Sequence, residues 1–143
     1  MILNRQRTVR VARPPLEAFL ARVREQLRLN GAEITIALVS DPAIARMNES
    51  FRHKKGPTDV LSFPLAPPAA LLGDLAISLP RARTQARAFG HSTEDEIRIL
   101  MLHGILHLTG LDHETDAGRM ARAERLWRAR LGLPTSLIER AQA

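Results

Sequence analysis

Alternating apolar and polar residues mark the segments of the chain that are able to form strands. This alternation predicts strands over residues 6–12, 33–39, 58–65 and 73–79, since a period of two directs one row of side chains into a core. The proline-rich stretch 66–70 separates the last two segments and predicts a loop between them. We therefore expect these two strands to pair as a hairpin.

Apolar residues at helical spacing predict helices in the other segments. The first predicted helix covers residues 14–31 and is closed by Asn30-Gly31, and the second runs from the cap Asp41, which Pro42 follows, to about Ser50. Three more are predicted over residues 80–90, in a long segment after the cap Thr93, and over about residues 116–131. Strands and helices are mixed along the chain, and its end is purely helical. The predicted fold class is therefore α+β, with a small mixed four-stranded sheet and about five helices.

The long helix after Thr93 is apolar around nearly all of its circumference, which is typical of a helix enclosed by its own domain. Thr93 and Glu96 have the spacing of a capping box, in which each side chain satisfies a free backbone N–H of the first turn. In the last helix we expect Met120, Leu126 and Trp127 to face inward.

Length and composition predict one soluble domain over residues 1–143, because 45% of the 143 residues are hydrophobic. No apolar run is long enough to cross a bilayer, and the first residues lack the apolar segment of a secretory signal. We therefore expect a cytoplasmic protein without a membrane partner. The chain has no cysteine, so a metal site has to be built from histidine and carboxylate side chains.

The formal net charge of +6 favours a polyanionic partner such as RNA. The alternative is that the arginine-rich composition reflects nucleotide bias in the source genome. Aromatic residues make up only 3% of the chain, so a platform for stacking bases is mostly missing. Contacts with RNA are therefore expected to rely on phosphate groups.

The segment HGILHLTGLDH contains three histidines within a stretch that otherwise has the pattern of a buried helix. His103 and His107 are one helical turn apart, so their rings are able to face a common point. Gly110 permits the helix to end and the chain to turn back, which brings His113 within reach. Three neutral imidazoles suit Zn²⁺ and leave a fourth position for water. The alternative is that each ring is satisfied separately by hydrogen bonds.

This ligand spacing matches the HExxHxxGxxH pattern of one class of zinc proteases, with one difference. Gly104 occupies the position of the glutamate that acts as general base in those enzymes. Without this carboxylate the usual proton acceptor for peptide hydrolysis is missing, so another hydrolytic reaction is favoured.

The same segment, together with FRHKKGPTDVLSFP and LGDLAIS upstream of it, resembles the signature blocks of the YbeY family of bacterial endoribonucleases, also called rRNA maturation factors. The resemblance runs from about Met47 to Glu124. It implies a hydrolase with a single zinc ion that cuts single-stranded RNA during maturation of the 3′ end of small-subunit rRNA and in ribosome quality control. The implied partners are rRNA precursors and the small ribosomal subunit with its proteins, but not DNA.

The resemblance implies that His103, His107 and His113 are the metal ligands and that Arg52 is the functional arginine of the family. Leu111 departs from the tyrosine that is usual at its position, so a role for that hydroxyl is in doubt here.

Hydrolysis of a phosphodiester needs an activated nucleophile and a positive group near the phosphoryl oxygens. Water bound to zinc has a pKa of about 7, which supplies hydroxide at neutral pH. Arg52 is preferred as the cation, because a guanidinium forms paired hydrogen bonds with a phosphate and keeps its charge. Lys54 and Lys55 are candidates for docking the RNA backbone or, equally, for a solvated loop. Attack by hydroxide and attack by the 2′-hydroxyl of the RNA both remain open.

The remaining polar residues near these motifs have simpler predicted roles. Asp112 is expected to orient a histidine ligand or to cap the last helix. Asp59 and Asp74 are expected to tie strand ends together, and His53 and His91 to lie on the surface. Glu96 is assigned to the capping box described above.

Two other classes of function remain open at this stage. One is a metallohydrolase with a different substrate, such as a peptidase, which the absence of a glutamate at Gly104 disfavours. The other is a ribosome assembly factor whose zinc is structural. Three protein ligands, instead of four, favour an open catalytic site over a closed structural one.

Overall fold

A computed structural model describes residues 1–29, 31–65, 71–111 and 117–134 of the chain, with only the backbone of residues 71 and 72. Within these ranges the elements in chain order are β1 (Ile2–Asn4), α1 (Arg13–Gln26), β2 (Glu33–Val39), α2 (Asp41–Arg52), β3 (Val60–Pro64), β4 (Leu71–Ser78), α3 (Leu79–Phe89), α4 (Thr93–Leu108) and α5 (Arg119–Leu131).

The strands of the described residues form one four-stranded mixed sheet in the order β1-β2-β4-β3. β2 pairs in parallel with β1 and β4, and β3 pairs antiparallel with β4. The predicted α+β class and mixed sheet are confirmed, as is the hairpin of β3 and β4. Residues 66–70 of its predicted loop lie outside the described residues.

The alternation along β4 divides its side chains between two cores. Leu75 and Ile77 face the main core, into which α1, α3, α4 and α5 also direct apolar side chains. Ala76 points to the opposite face and packs with Ile44 of α2 in a smaller core that also contains Leu61 of β3. Among the helices of the described residues, only α2 contributes a buried residue to this smaller core.

The helix α4 is enclosed as predicted, since its residues from Ile99 to Leu106 are all buried. Its cap is Ser92, whose hydroxyl accepts a hydrogen bond from the backbone N–H of Asp95 at 3.1 Å, so the predicted cap at Thr93 is wrong. With Ser92 as the cap, Asp95 and not Glu96 is the third residue of the helix. Glu96 is fully buried and lies 2.6 Å from Nε2 of His91, so the expectations of a capping role for Glu96 and a surface position for His91 are both wrong.

The N-terminal elements differ from the predicted ones. The first strand is residues 2–4, not 6–12, because the side-chain amide of Gln6 bonds to both the backbone N–H and the carbonyl of Val9 and holds this segment in a bend. The helix α1 ends at Gln26, earlier than Asn30-Gly31, and Arg28 adopts the left-handed conformation. Asn30 itself lies outside the described residues.

In α5, Met120 is buried and Trp127 packs against the main core, as predicted. Leu126 is 45% exposed, so its inward assignment is wrong. The Leu126 side chain leaves the helix more than 90° away from the direction of the Met120 side chain. Glu124, one turn after Met120, shares the face of Met120 and is buried. No helix in the described part of the chain is long and apolar enough to span a membrane.

Candidate active site

A cavity of about 470 Å³ opens between α4, the end of α2 and β3. Its lining includes four of the residues predicted to bind metal or RNA, two from α4 and two near the end of α2. The residues that line it are Phe51, Arg52, Lys54, Thr58, Asp59, Val60, Ser62, Pro64, His103 and His107. Polar and cationic groups therefore face one another across a space of the size that small-molecule and nucleotide sites occupy.

His103 and His107 lie one turn apart on α4, and their ring centroids are 4.8 Å apart with an angle of 75° between the planes. His103 is buried and His107 is half-buried, so both rings are held by the fold and both reach the cavity. The two rings therefore lie side by side at the cavity, and a common bound atom stays a prediction. His113 and Asp112 lie outside the described residues, and within those residues no group of three metal-binding side chains is found.

The helix α4 ends at the glycine that the sequence indicated. Gly110 has a φ of 102°, a conformation that favours glycine, and its backbone N–H donates to the carbonyl of His107 at 3.0 Å. The N–H of Leu111 donates to the carbonyl of Leu106, and the Leu111 side chain packs against the main core. The chain direction therefore changes directly after the histidine pair.

Glu124 of α5 lies behind His103. Oε1 of Glu124 is 3.3 Å from Nδ1 of His103, and the carboxylate is fully buried. Within the described part of the chain neither carboxylate oxygen forms a hydrogen bond, so the contact with His103 is an ion-pair distance. Sequence reasoning missed this residue, although a glutamate one turn after the buried Met120 was a usable signal.

Arg52 is the last residue of α2, and the chain turns sharply after it. His53 adopts the left-handed conformation, with a φ of 57°, and its N–H donates to the carbonyl of Glu49. The following loop is tied back to α2 by the buried Asn48, whose Nδ2 donates to the carbonyl of Gly56 at 3.0 Å. The loop is therefore held against the helix that carries Arg52.

The cations of this loop are all exposed, but they differ in position. Arg52 and Lys54 line the cavity, whereas Lys55 is not among its lining residues. His53 is exposed, as predicted. The helix end and the folded loop thus direct two positive groups of the described residues to the space in front of the histidines.

Asp59 has the structural role that the sequence favoured. Its carboxylate accepts hydrogen bonds from the backbone N–H of Val60 at 2.8 Å and from Nε2 of Gln85 at 3.2 Å, so it ties the start of β3 to α3. Asp74 lies in β4 between Phe63 of β3 and Thr35 of β2 and is exposed.

Gly104 faces the sheet and not the cavity. A Cβ at this position would lie 2.8 Å from Cδ2 and 2.9 Å from Cδ1 of Leu75, and the Gly104 carbonyl accepts a hydrogen bond from the Ser62 hydroxyl. A glutamate has no room here, and its carboxylate would point into the core. The structure thus gives a steric reason for the missing general base.

The donor set fits a divalent metal ion. Two imidazoles line one cavity, and a buried carboxylate that forms no hydrogen bond among the described residues stands behind one of them. Carboxylates in this position are common behind histidine ligands, where they fix the ring and its tautomer. His103 and His107 therefore satisfy the chemistry of a partial metal site within the described residues.

Fold and site together define a small α+β domain with a histidine-lined, cationic cavity. A family model described as Endoribonuclease YbeY matches residues 1–132, and the chain belongs to this family. The resemblance seen in the sequence motifs is thereby confirmed.

Curated relatives agree with this assignment over most of the chain. An endoribonuclease YbeY from Solibacter usitatus is 56% identical over 131 residues, covering 92% of this chain and 87% of the relative. Another, from Koribacter versatilis, is 41% identical and covers 98% of this chain and 91% of its own length. The solution structure of a Thermotoga maritima protein matches with a TM-score of 0.63 at 28% identity, covering 92% of this chain and 89% of that one.

Proposed function

We propose that this protein is a zinc-dependent endoribonuclease that hydrolyses single-stranded RNA in the maturation of small-subunit rRNA. The observation that carries the proposal is the cavity in which the His103 and His107 rings face Arg52 and Lys54. Membership in the endoribonuclease family supports RNA as the substrate. The net charge of +6 suits a polyanion.

In this proposal His103, His107 and His113 hold a single zinc ion. When bound, the metal supplies Lewis acidity and activates water near neutral pH. Glu124 is assigned to orient His103 by accepting its Nδ1–H, which leaves Nε2 as the nitrogen available to a metal. Asp112, which lies outside the described residues, is still proposed to orient another of the histidine ligands.

Arg52 is assigned to the scissile phosphate. Its guanidinium is able to donate paired hydrogen bonds to phosphoryl oxygens and to stabilise the charge that increases on them in the transition state. Lys54 lines the same cavity and is assigned to a neighbouring phosphate as a point charge. Lys55 is assigned to looser contacts with the RNA backbone outside the cavity.

Family membership supports RNA as the substrate class, and the particular RNA and its setting are part of the proposal. We assign rRNA precursors as the RNA and the small ribosomal subunit with its proteins as the partners, in the cytoplasm and without DNA. The steric exclusion of a glutamate at Gly104 weighs against peptide hydrolysis at this site.

The decisive experiment combines metal analysis with RNA cleavage. Purified protein is analysed for bound metal, depleted with a chelator, reloaded with zinc and tested on a single-stranded rRNA precursor. We expect cleavage to be lost on depletion and restored by zinc. We expect His107→Ala to lose both metal and cleavage.

Arg52→Ala separates catalysis from metal binding. It is expected to retain the metal and to lose cleavage by about a hundredfold or more, as on removal of a group that stabilises transition-state charge. Arg87→Ala is the matched control, because Arg87 is an exposed arginine of α3 that does not line the cavity. Cleavage that persists in fully metal-free protein would overturn the proposal.

A further inference from the structure

Phe51 is a large apolar side chain at the edge of the candidate active site. It precedes Arg52 in the last turn of α2 and is 52% exposed. It lines the histidine cavity and also an adjacent groove of about 380 Å³, so its ring borders both spaces. About half of the Phe51 side chain is therefore accessible to a ligand at the edge of this cavity.

The ring of Phe51 is held in place by a second aromatic residue. The centroid of Phe63 in β3 is 4.5 Å from that of Phe51, with 60° between the planes, which is an edge-to-face contact. Phe63 in turn packs against the smaller core through which α2 contacts the sheet. The half-exposed ring is therefore preorganised by the fold, and a ligand does not have to order it.

Positive groups stand on both sides of this ring. Arg52 and Lys54 line the cavity on one side, and Arg46 lines the groove on the other. The acidic residue of the cavity lining, Asp59, has its carboxylate engaged by Val60 and Gln85. An aromatic ring with a cation on either side suits a nucleic acid strand, because each nucleoside of the strand carries a base and has a phosphate on either side.

We propose that Phe51 forms a base-stacking subsite for an unpaired nucleotide of RNA beside the scissile phosphate. The inference rests on the function proposed above and adds a reason for single-strand specificity. A base in a duplex already has both faces covered by its neighbours, whereas an unpaired base is free to stack on an exposed ring. The low aromatic content predicts that a platform for stacking several bases is mostly missing, and the proposed subsite needs only the one ring that Phe63 holds in place.

The test measures equilibrium binding in the presence of a chelator, so that no RNA is cut. Fluorescence anisotropy compares a short oligouridylate with a ribose-phosphate oligomer of the same length that lacks bases. We expect Phe51→Leu to weaken binding of the oligouridylate by about five- to a hundredfold, the range found for one stacked base. Binding of the base-free oligomer is expected to stay the same, because its contacts are with phosphates.

Three variants complete the design. Phe51→Trp keeps a stacking surface and is expected to bind the oligouridylate as tightly as the wild type. Phe89→Leu changes a phenylalanine of similar exposure, 48%, that lines neither space, and is expected to have no effect. Arg52→Ala is expected to weaken both oligomers.

The proposal is overturned if Phe51→Leu binds both oligomers like the wild type, or weakens both equally. The first outcome would assign the exposed ring to a protein partner instead. A failure of the wild type to cleave RNA with zinc bound would count against the proposed function, while the binding comparison would still decide the base subsite.

Discussion

Nδ1 of His103 lies 3.3 Å from Oε1 of Glu124, so a fully buried carboxylate of α5 stands behind a ring that lines the candidate active site. The two residues belong to different helices and are brought together by the packing of α5 on α4. This contact links α5 to the metal chemistry proposed for α4.

Glu124→Gln is expected to lower the affinity for zinc by about ten- to a hundredfold, the usual effect of changing a residue that orients a histidine ligand. The amide is a weaker, uncharged acceptor for the Nδ1–H, so the ring is held less firmly. The affinity is measured by competition with a chromophoric chelator. Glu94→Gln, a change of an exposed glutamate of α4, provides the control. A folded Glu124→Gln protein with wild-type affinity would contradict the assignment.

Zinc is expected to stabilise the wild-type fold, because a metal that binds only the native state shifts the unfolding equilibrium toward that state by mass action. At a hundredfold excess over Kd the shift is about 2.7 kcal/mol, which raises the Tm by several degrees. His107→Ala is expected to remove this rise without lowering the Tm of the metal-free protein by a similar amount, since His107 is only half-buried. Differential scanning calorimetry with and without zinc measures both effects. A rise that survives in His107→Ala would show that the ion binds elsewhere.

Gly104→Ala is expected to destabilise the protein by about 1–3 kcal/mol, because the new methyl group meets the Leu75 side chain in a packed core. Leu75→Val removes the two Cδ atoms that would be contacted. In the Leu75→Val background the cost of Gly104→Ala is therefore expected to be smaller. Urea unfolding of the wild type, both single variants and the double variant measures this coupling. Strictly additive effects would contradict the proposed contact.

Asn48→Ala is expected to loosen the loop that follows Arg52, because it removes the hydrogen bond from Nδ2 to the Gly56 carbonyl. The expected loss of stability is about 1 kcal/mol, together with weaker RNA binding through Lys54. Amide hydrogen exchange of the loop and anisotropy with oligouridylate measure the two effects. Asn48→Asp loses the donor and also places a buried negative charge beside the Gly56 carbonyl, so it is expected to loosen the loop and to destabilise the protein more than Asn48→Ala. Unchanged exchange in both variants would exclude a role for Asn48 in holding the loop.

Much of the fold was predictable from local patterns. Period-two alternation located β2 from Glu33 to Val39, and helical spacing located α1 and α4. The errors arose where a side chain competed with the regular pattern, as Gln6 did by bonding to the backbone of Val9. They also arose where neighbouring residues were equivalent candidates for a cap, as Ser92 and Thr93 were.

The sequence by itself determined that His103 and His107 share a helix face, since residues one turn apart on a helix always do. It also determined the left-handed turn at Gly110, since the conformational freedom of glycine is a local property. Only the tertiary structure decided that Glu124 stands behind His103, that Phe51 meets Phe63, and that Leu75 fills the space beside Gly104. These contacts join residues far apart in the chain, and local periodicity carries no information about which faces of two elements will pack together.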